Sequence, residues 1–78
     1  MYVTKRTRWE LDYEWTPEFS DIEMSDAEFF ALIDDAQANG WEEDGNPFPA
    51  VWQLRKRNEE TGLYDFLQIS YDPYREEM

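Results

Sequence analysis

The side chains that could carry chemistry in this chain are its carboxylates: nineteen Asp and Glu against seven Lys and Arg, with no histidine and no cysteine. Without an imidazole or a thiol, the Ser-His, Cys-His and zinc constellations are all excluded. Gly40, Gly45 and Gly62 stand singly, so no glycine-rich loop can cradle a phosphate. Two carboxylates could serve a glycosidase, but that pair must flank a cleft, and a 78-residue chain leaves little room for one. The run Glu42, Glu43, Asp44 ahead of Gly45-Asn46 has the outward look of a calcium loop. An EF-hand needs a bidentate Glu six residues after its Gly, and Val51 stands there. The expectation is a protein without metal, cofactor or catalytic activity; a small hydrolase is kept only as the third reading.

What the carboxylates could do instead is present charge. Glu10, Asp12 and Glu14 alternate with Trp9, Leu11, Tyr13 and Trp15. In an extended strand such positions stand about 6.6–6.8 Å apart, twice the rise per residue. That spacing is comparable to successive phosphates along a nucleic-acid strand. Glu28, Asp34 and Asp35, followed by Glu42, Glu43 and Asp44, would extend the array. The bland alternative is a merely solvated acidic face. The cations cluster as Lys5, Arg6, Arg8 and as Arg55, Lys56, Arg57, with Arg75 elsewhere. Cross-strand pairs such as Arg55 or Arg57 with Asp65 would give each a few tenths of a kcal/mol at most.

Several elements must position these groups. Ser25 is a good N-cap, Glu28 completes its capping box, and Met24 with Phe29 forms a hydrophobic staple. Phe29, Leu32, Ile33 and Ala36 recur at helical spacing, and Asn39-Gly40 stops the helix. The exposed side of that helix carries Glu28, Asp34 and Asp35. The alternation of residues 9–15 predicts the first strand, extended backward through Arg8 and Arg6. Pro17 ends it, and residues 17–23 read as a connection that tucks Phe19 and Ile22 against the helix. Residues 42–49 are a loop by composition, residues 51–57 a second strand and residues 63–71 a third, joined by a turn at 58–62. The last residues form a frayed tail.

Residues 1–78 therefore form one small α+β domain in β-α-β-β order. Strand three lies centrally, giving a three-stranded antiparallel sheet of order 1-3-2 with one helix packed on one face. A parallel 1-2 pairing is the less favoured arrangement. One helix covers one face only. In the hairpin, Trp52, Leu54, Tyr64 and Phe66 share one parity and Val51, Leu67, Ile69 and Tyr71 the other. The open face should then keep several large apolar groups, which on a small domain mark an interface. A bulge in the last strand would instead return both sets to one face. Trp52 is the expected anchor of a partner on the open face, and a homodimer through it is one way to cover it.

A formal net charge of −12 works against compaction, so it reflects either solubility or a strongly basic partner. It also argues against direct nucleic-acid binding, which needs Lys and Arg to displace counterions. No apolar run is long enough for a membrane span, and the start MYVTKRTRWE lacks the apolar core of a secretory signal. With no cysteine, a cytoplasmic address is expected.

In length, charge and lack of catalytic residues the chain resembles the small acidic inhibitors that phages use against bacterial immunity, including anti-CRISPR and anti-restriction proteins. The resemblance rests on composition and transfers no residues. It implies a nucleic-acid mimic in the cytoplasm of a host cell, occupying the basic DNA- or RNA-binding site of a defence complex such as a CRISPR-Cas effector. The expected site residues are Glu10, Asp12, Glu14, Glu28, Asp34, Asp35, Glu42, Glu43, Asp44 and Trp52. The alternative is a homodimeric regulatory or accessory module whose charge only keeps it soluble.

Overall fold

A computed structural model describes residues 1–9, 14–46 and 49–74. The strands are β1 (Tyr2–Arg8), β2 (Thr16–Glu23), β3 (Glu42–Glu43), β4 (Val51–Arg57) and β5 (Tyr64–Tyr71), with the helix α1 (Asp26–Ala38) between β2 and β3. They form one antiparallel sheet in the order β2-β1-β5-β4-β3. This corrects the expected three-stranded sheet of order 1-3-2: the sheet has five strands, and both of its edges were read as connections.

The error at the first edge has a physical cause. β1 ends at Arg8, where the alternating stretch begins, and Trp9, Glu14 and Trp15 are not in a strand. β2 lies where a loop was expected, because its pairing with β1 contains two irregularities. Val3 faces Ile22 but Lys5 faces Phe19, and Arg6 then faces Pro17. Each step carries one extra residue on β2, a bulge that destroys the two-residue period a sequence reading depends on. Asp21 takes up the first bulge at φ 53°, in the left-handed region that Asp tolerates better than most residues, and its N–H donates to Thr4 Oγ1 at 3.2 Å. Pro17 is accommodated because β2 is an edge strand and has one unpaired side. Phe19 is half-buried against the core, whereas Ile22, expected to tuck in with it, is largely exposed.

The helix matches its sequence signals closely. Ser25 Oγ accepts from Glu28 N–H at 3.2 Å while the Glu28 carboxylate accepts from Ser25 N–H and Oγ–H, which is the reciprocal capping box. At the other end Gly40 N–H donates to Gln37 O and Trp41 N–H to Ala36 O, both at 3.1 Å, with Gly40 at φ 94°. This is the Schellman arrangement, which needs a left-handed residue at that position.

Phe29, Ile33 and Ala36 point from the helix into the core, where Val3, Leu54, Leu67 and Ile69 meet them from the sheet. The register of β4 with β5 decides which residues share a face. Trp52 lies opposite Ile69 and Leu54 opposite Leu67, without interruption along the pair. The two parities separated in the sequence reading are therefore mixed: Trp52, Leu54, Leu67, Ile69 and Tyr71 all face the helix, and no bulge in the last strand is needed. Tyr64, Phe66 and Val51 are what the hairpin leaves on the open face. Among the described residues no helix is long and apolar enough to cross a membrane.

Candidate partner-binding surface

The open face of the sheet differs from the apolar patch that was expected. Cross-strand neighbours share a face, so Arg6 and Arg8 of β1 stand beside Gln68 and Phe66 of β5, and these beside Gln53 and Arg55 of β4. The aromatic rings there are roofed by guanidinium groups. The Arg8 guanidinium carbon lies 5.1 Å from the Phe66 ring centroid, and that of Arg55 4.7 Å from Tyr64. Trp15 folds back over the same side, 4.9 Å from Arg6 and 5.8 Å from Arg8. Stacking of this kind favours Arg, whose planar and weakly hydrated head can lie flat on a ring.

Beneath the arginines runs a directional hydrogen-bond chain. Arg6 donates to Gln68 Oε1 from Nε at 3.0 Å and from Nη2 at 2.6 Å. Gln68 Nε2 donates to Gln53 Oε1 and Gln53 Nε2 to Asp44 Oδ2, both at 2.9 Å. Asp44 also lies 3.8 Å from Arg55 Nη1. A cation at one end and a carboxylate at the other orient both amides, and the chain ties β1, β5 and β4 to the segment after β3. Gln68, the one buried polar residue among those described, sits at its middle.

Arg6, Arg8 and Arg55 are thus engaged, and so are the two lysines. Lys5 pairs with Glu18 at 2.9 Å, and Lys56 Nζ donates to Asn39 O at 3.0 Å at the helix C-terminus. The later acids of the helix and those of the adjoining edge strand have no ion pair among the described residues. Asp34, Asp35, Glu42 and Glu43 are exposed, and none forms an ion pair with a described residue. Helix α1 carries Asp26, Glu28, Asp34 and Asp35 and no base at all. Charge is therefore partly sorted: arginines lie over the open face, Asp34 and Asp35 stand on the helix, and on the β3 edge Glu43 is opposite Leu54 of the helix-side face while Glu42 is opposite Arg55.

Against this geometry the expected site divides. Asp34, Asp35, Glu42 and Glu43 lie on consecutive elements joined only by Asn39, Gly40 and Trp41. Glu28 is exposed but its carboxylate is used in the capping box. Asp44 turns inward to Gln53 and Arg55, away from the outward acidic array. Glu10 and Asp12 lie outside the described residues, and with them the expected strand spacing; Glu14 is exposed at a bend.

Trp52 needs correction. It lies on the helix side of the sheet and not on the open face, half-buried against the core and edge-on to Phe29 with centroids 5.3 Å apart and to Phe30 at 6.1 Å. Sequence reading missed the open-face platform, although its signal was there. Arg6/Arg8, Gln53/Arg55/Arg57 and Tyr64/Phe66/Gln68 all recur at two-residue spacing.

Comparison of the chain with protein-family models, curated proteins and solved structures returns no match.

Proposed function

We propose that this is a binding protein whose helix and β3 edge occupy a basic, nucleic-acid-binding surface of another macromolecule. The observation that carries the reading is the sorting of charge. Asp34, Asp35, Glu42 and Glu43 are exposed without an ion pair to a described residue, while Arg6, Arg8 and Arg55 are held on the open face by rings, Gln68 and Asp44; of the four acids only Glu42 borders that face, opposite Arg55. Exposed carboxylates of this kind offer Arg and Lys of a partner the same charge-assisted hydrogen bonds that phosphates would. Their uncompensated field would also steer a basic partner from a distance, with the effect fading as salt shortens the Debye length below about 10 Å.

The narrower reading is an inhibitor of a bacterial defence complex such as a CRISPR-Cas effector, which would put it in the cytoplasm of a host cell. It rests on the compositional resemblance alone. The alternative, a regulatory module that pairs with itself through the open face, is disfavoured by that face's chemistry. A two-fold contact there would bring Arg6, Arg8 and Arg55 of two copies together.

The test is a variant with Asp34→Asn, Asp35→Asn, Glu42→Gln and Glu43→Gln. Each change is at an exposed site and should alter stability by no more than about 0.5 kcal/mol. The variant should keep the thermal transition and lose binding to the basic partner. Undiminished binding would refute the proposal.

A further inference from the structure

Between the C-terminal half of α1 and the β1–β2 end of the sheet lies an open cleft of about 380 Å³. Trp9 and Trp41 line it, the buried Leu67 lies at its floor, and Lys5, Glu18 and Asp35 contribute charge. Trp9 is 51% exposed although it is among the largest apolar side chains of the molecule. The volume is at the small end of the range for ligand sites, so it suits a single long side chain better than a whole cofactor.

Its electrostatics select the sign of the occupant. The Lys5 ammonium is largely covered, with its side chain 20% exposed, and is neutralised by Glu18 at 2.9 Å. That leaves Asp35, which forms no ion pair with a described residue, as the uncompensated charge on the rim. The C-terminal end of the helix itself is already served by the Lys56 ammonium, which donates to Asn39 O at 3.0 Å, so the Asp35 carboxylate is what favours a cation here. Two indole rings add a second preference, because a guanidinium stacks on indole more favourably than on any other ring.

We infer that this cleft receives one arginine side chain of the partner. The guanidinium lies against Trp9 or Trp41 and donates to the Asp35 carboxylate. The inference rests on the proposed function, since it supplies that acidic surface with one specific socket.

The test is a titration of isotope-labelled protein with hexa-arginine and with its hexa-citrulline counterpart, which keeps the shape and loses the charge. The four indole N–H signals are followed by NMR. The expected result is that hexa-arginine shifts Trp9 and Trp41, leaves Trp15 and Trp52 in place, and that hexa-citrulline shifts none. Asp35→Asn, at an exposed helix position, should weaken the binding about tenfold. If hexa-arginine binds in a salt-dependent way but perturbs only the Glu42–Glu43 edge, the cleft assignment falls and the acidic-surface reading stands. Equal Trp9 and Trp41 shifts in wild type and Asp35→Asn also overturn the assignment. No binding at low salt overturns both.

Discussion

Replacement of Gln68 by Leu is the sharpest probe of how this sheet is held. Gln68 accepts two hydrogen bonds from the Arg6 guanidinium, at 3.0 and 2.6 Å, and donates one to Gln53 at 2.9 Å. The Arg6 contact is charge-assisted and shares one acceptor atom, so it counts as a single bond of about 1.5–3 kcal/mol; the amide–amide bond adds about 1 kcal/mol. Leu has a similar size and returns about 1 kcal/mol through apolar burial, helped by partial rehydration of Arg6. The net loss is then about 2 kcal/mol. A 78-residue domain has about 4–12 kcal/mol in total, so the midpoint of thermal unfolding should drop by roughly 8–16 °C. Urea denaturation of Gln68→Leu, Gln53→Leu and the double variant measures both the loss and the coupling. Because the amides form one chain, the two changes should be non-additive by more than about 0.5 kcal/mol. A Gln68→Leu loss under 0.5 kcal/mol, or strict additivity, would refute the view that this network organises the open face.

Two further predictions concern the other side of the sheet. Trp52→Ala should cost about 3–5 kcal/mol, because the ring packs on Phe29, which is 0% exposed. Far-UV circular dichroism during heating should show early unfolding, whereas a stable fold with lost binding would restore Trp52 as an anchor. Ser25→Ala removes the reciprocal cap and should cost about 1 kcal/mol in equilibrium unfolding, with no change expected in partner binding.

How far the sequence could be read depended on whether local signals were complete. The helix was legible from end to end, since Ser25, Glu28, Asn39 and Gly40 specify its start and stop within their own segment. So were β4 and β5, bounded by Gly62 and by the prolines around them. The five-stranded sheet was not, because its edges are made by residues whose periodicity is broken. β2 carries two bulges and a proline, and β3 has only two residues, both glutamates. The alternating stretch 9–15 lies mostly outside the described residues, and its described ends, Trp9, Glu14 and Trp15, are not in a strand. Its two described tryptophans part company, Trp9 to the helix-side cleft and Trp15 to the arginines of the open face. The candidate site was legible as an excess of carboxylates, but the register of β4 on β5 was needed to assign faces. That register sets Trp52 on the helix side, packed against the core, and Tyr64 and Phe66 beneath arginines. It follows from long-range pairing, which no local pattern in the hairpin specifies.

The central claim is tested most directly by competition on the partner. A basic protein captured from lysate at low salt is loaded with a labelled oligonucleotide, and this protein is added while fluorescence anisotropy is followed. The account predicts full displacement of the oligonucleotide, weakening steeply as salt rises and lost in the variant neutralised at Asp34, Asp35, Glu42 and Glu43. A stable ternary complex, with the oligonucleotide still bound at saturating protein, would contradict it.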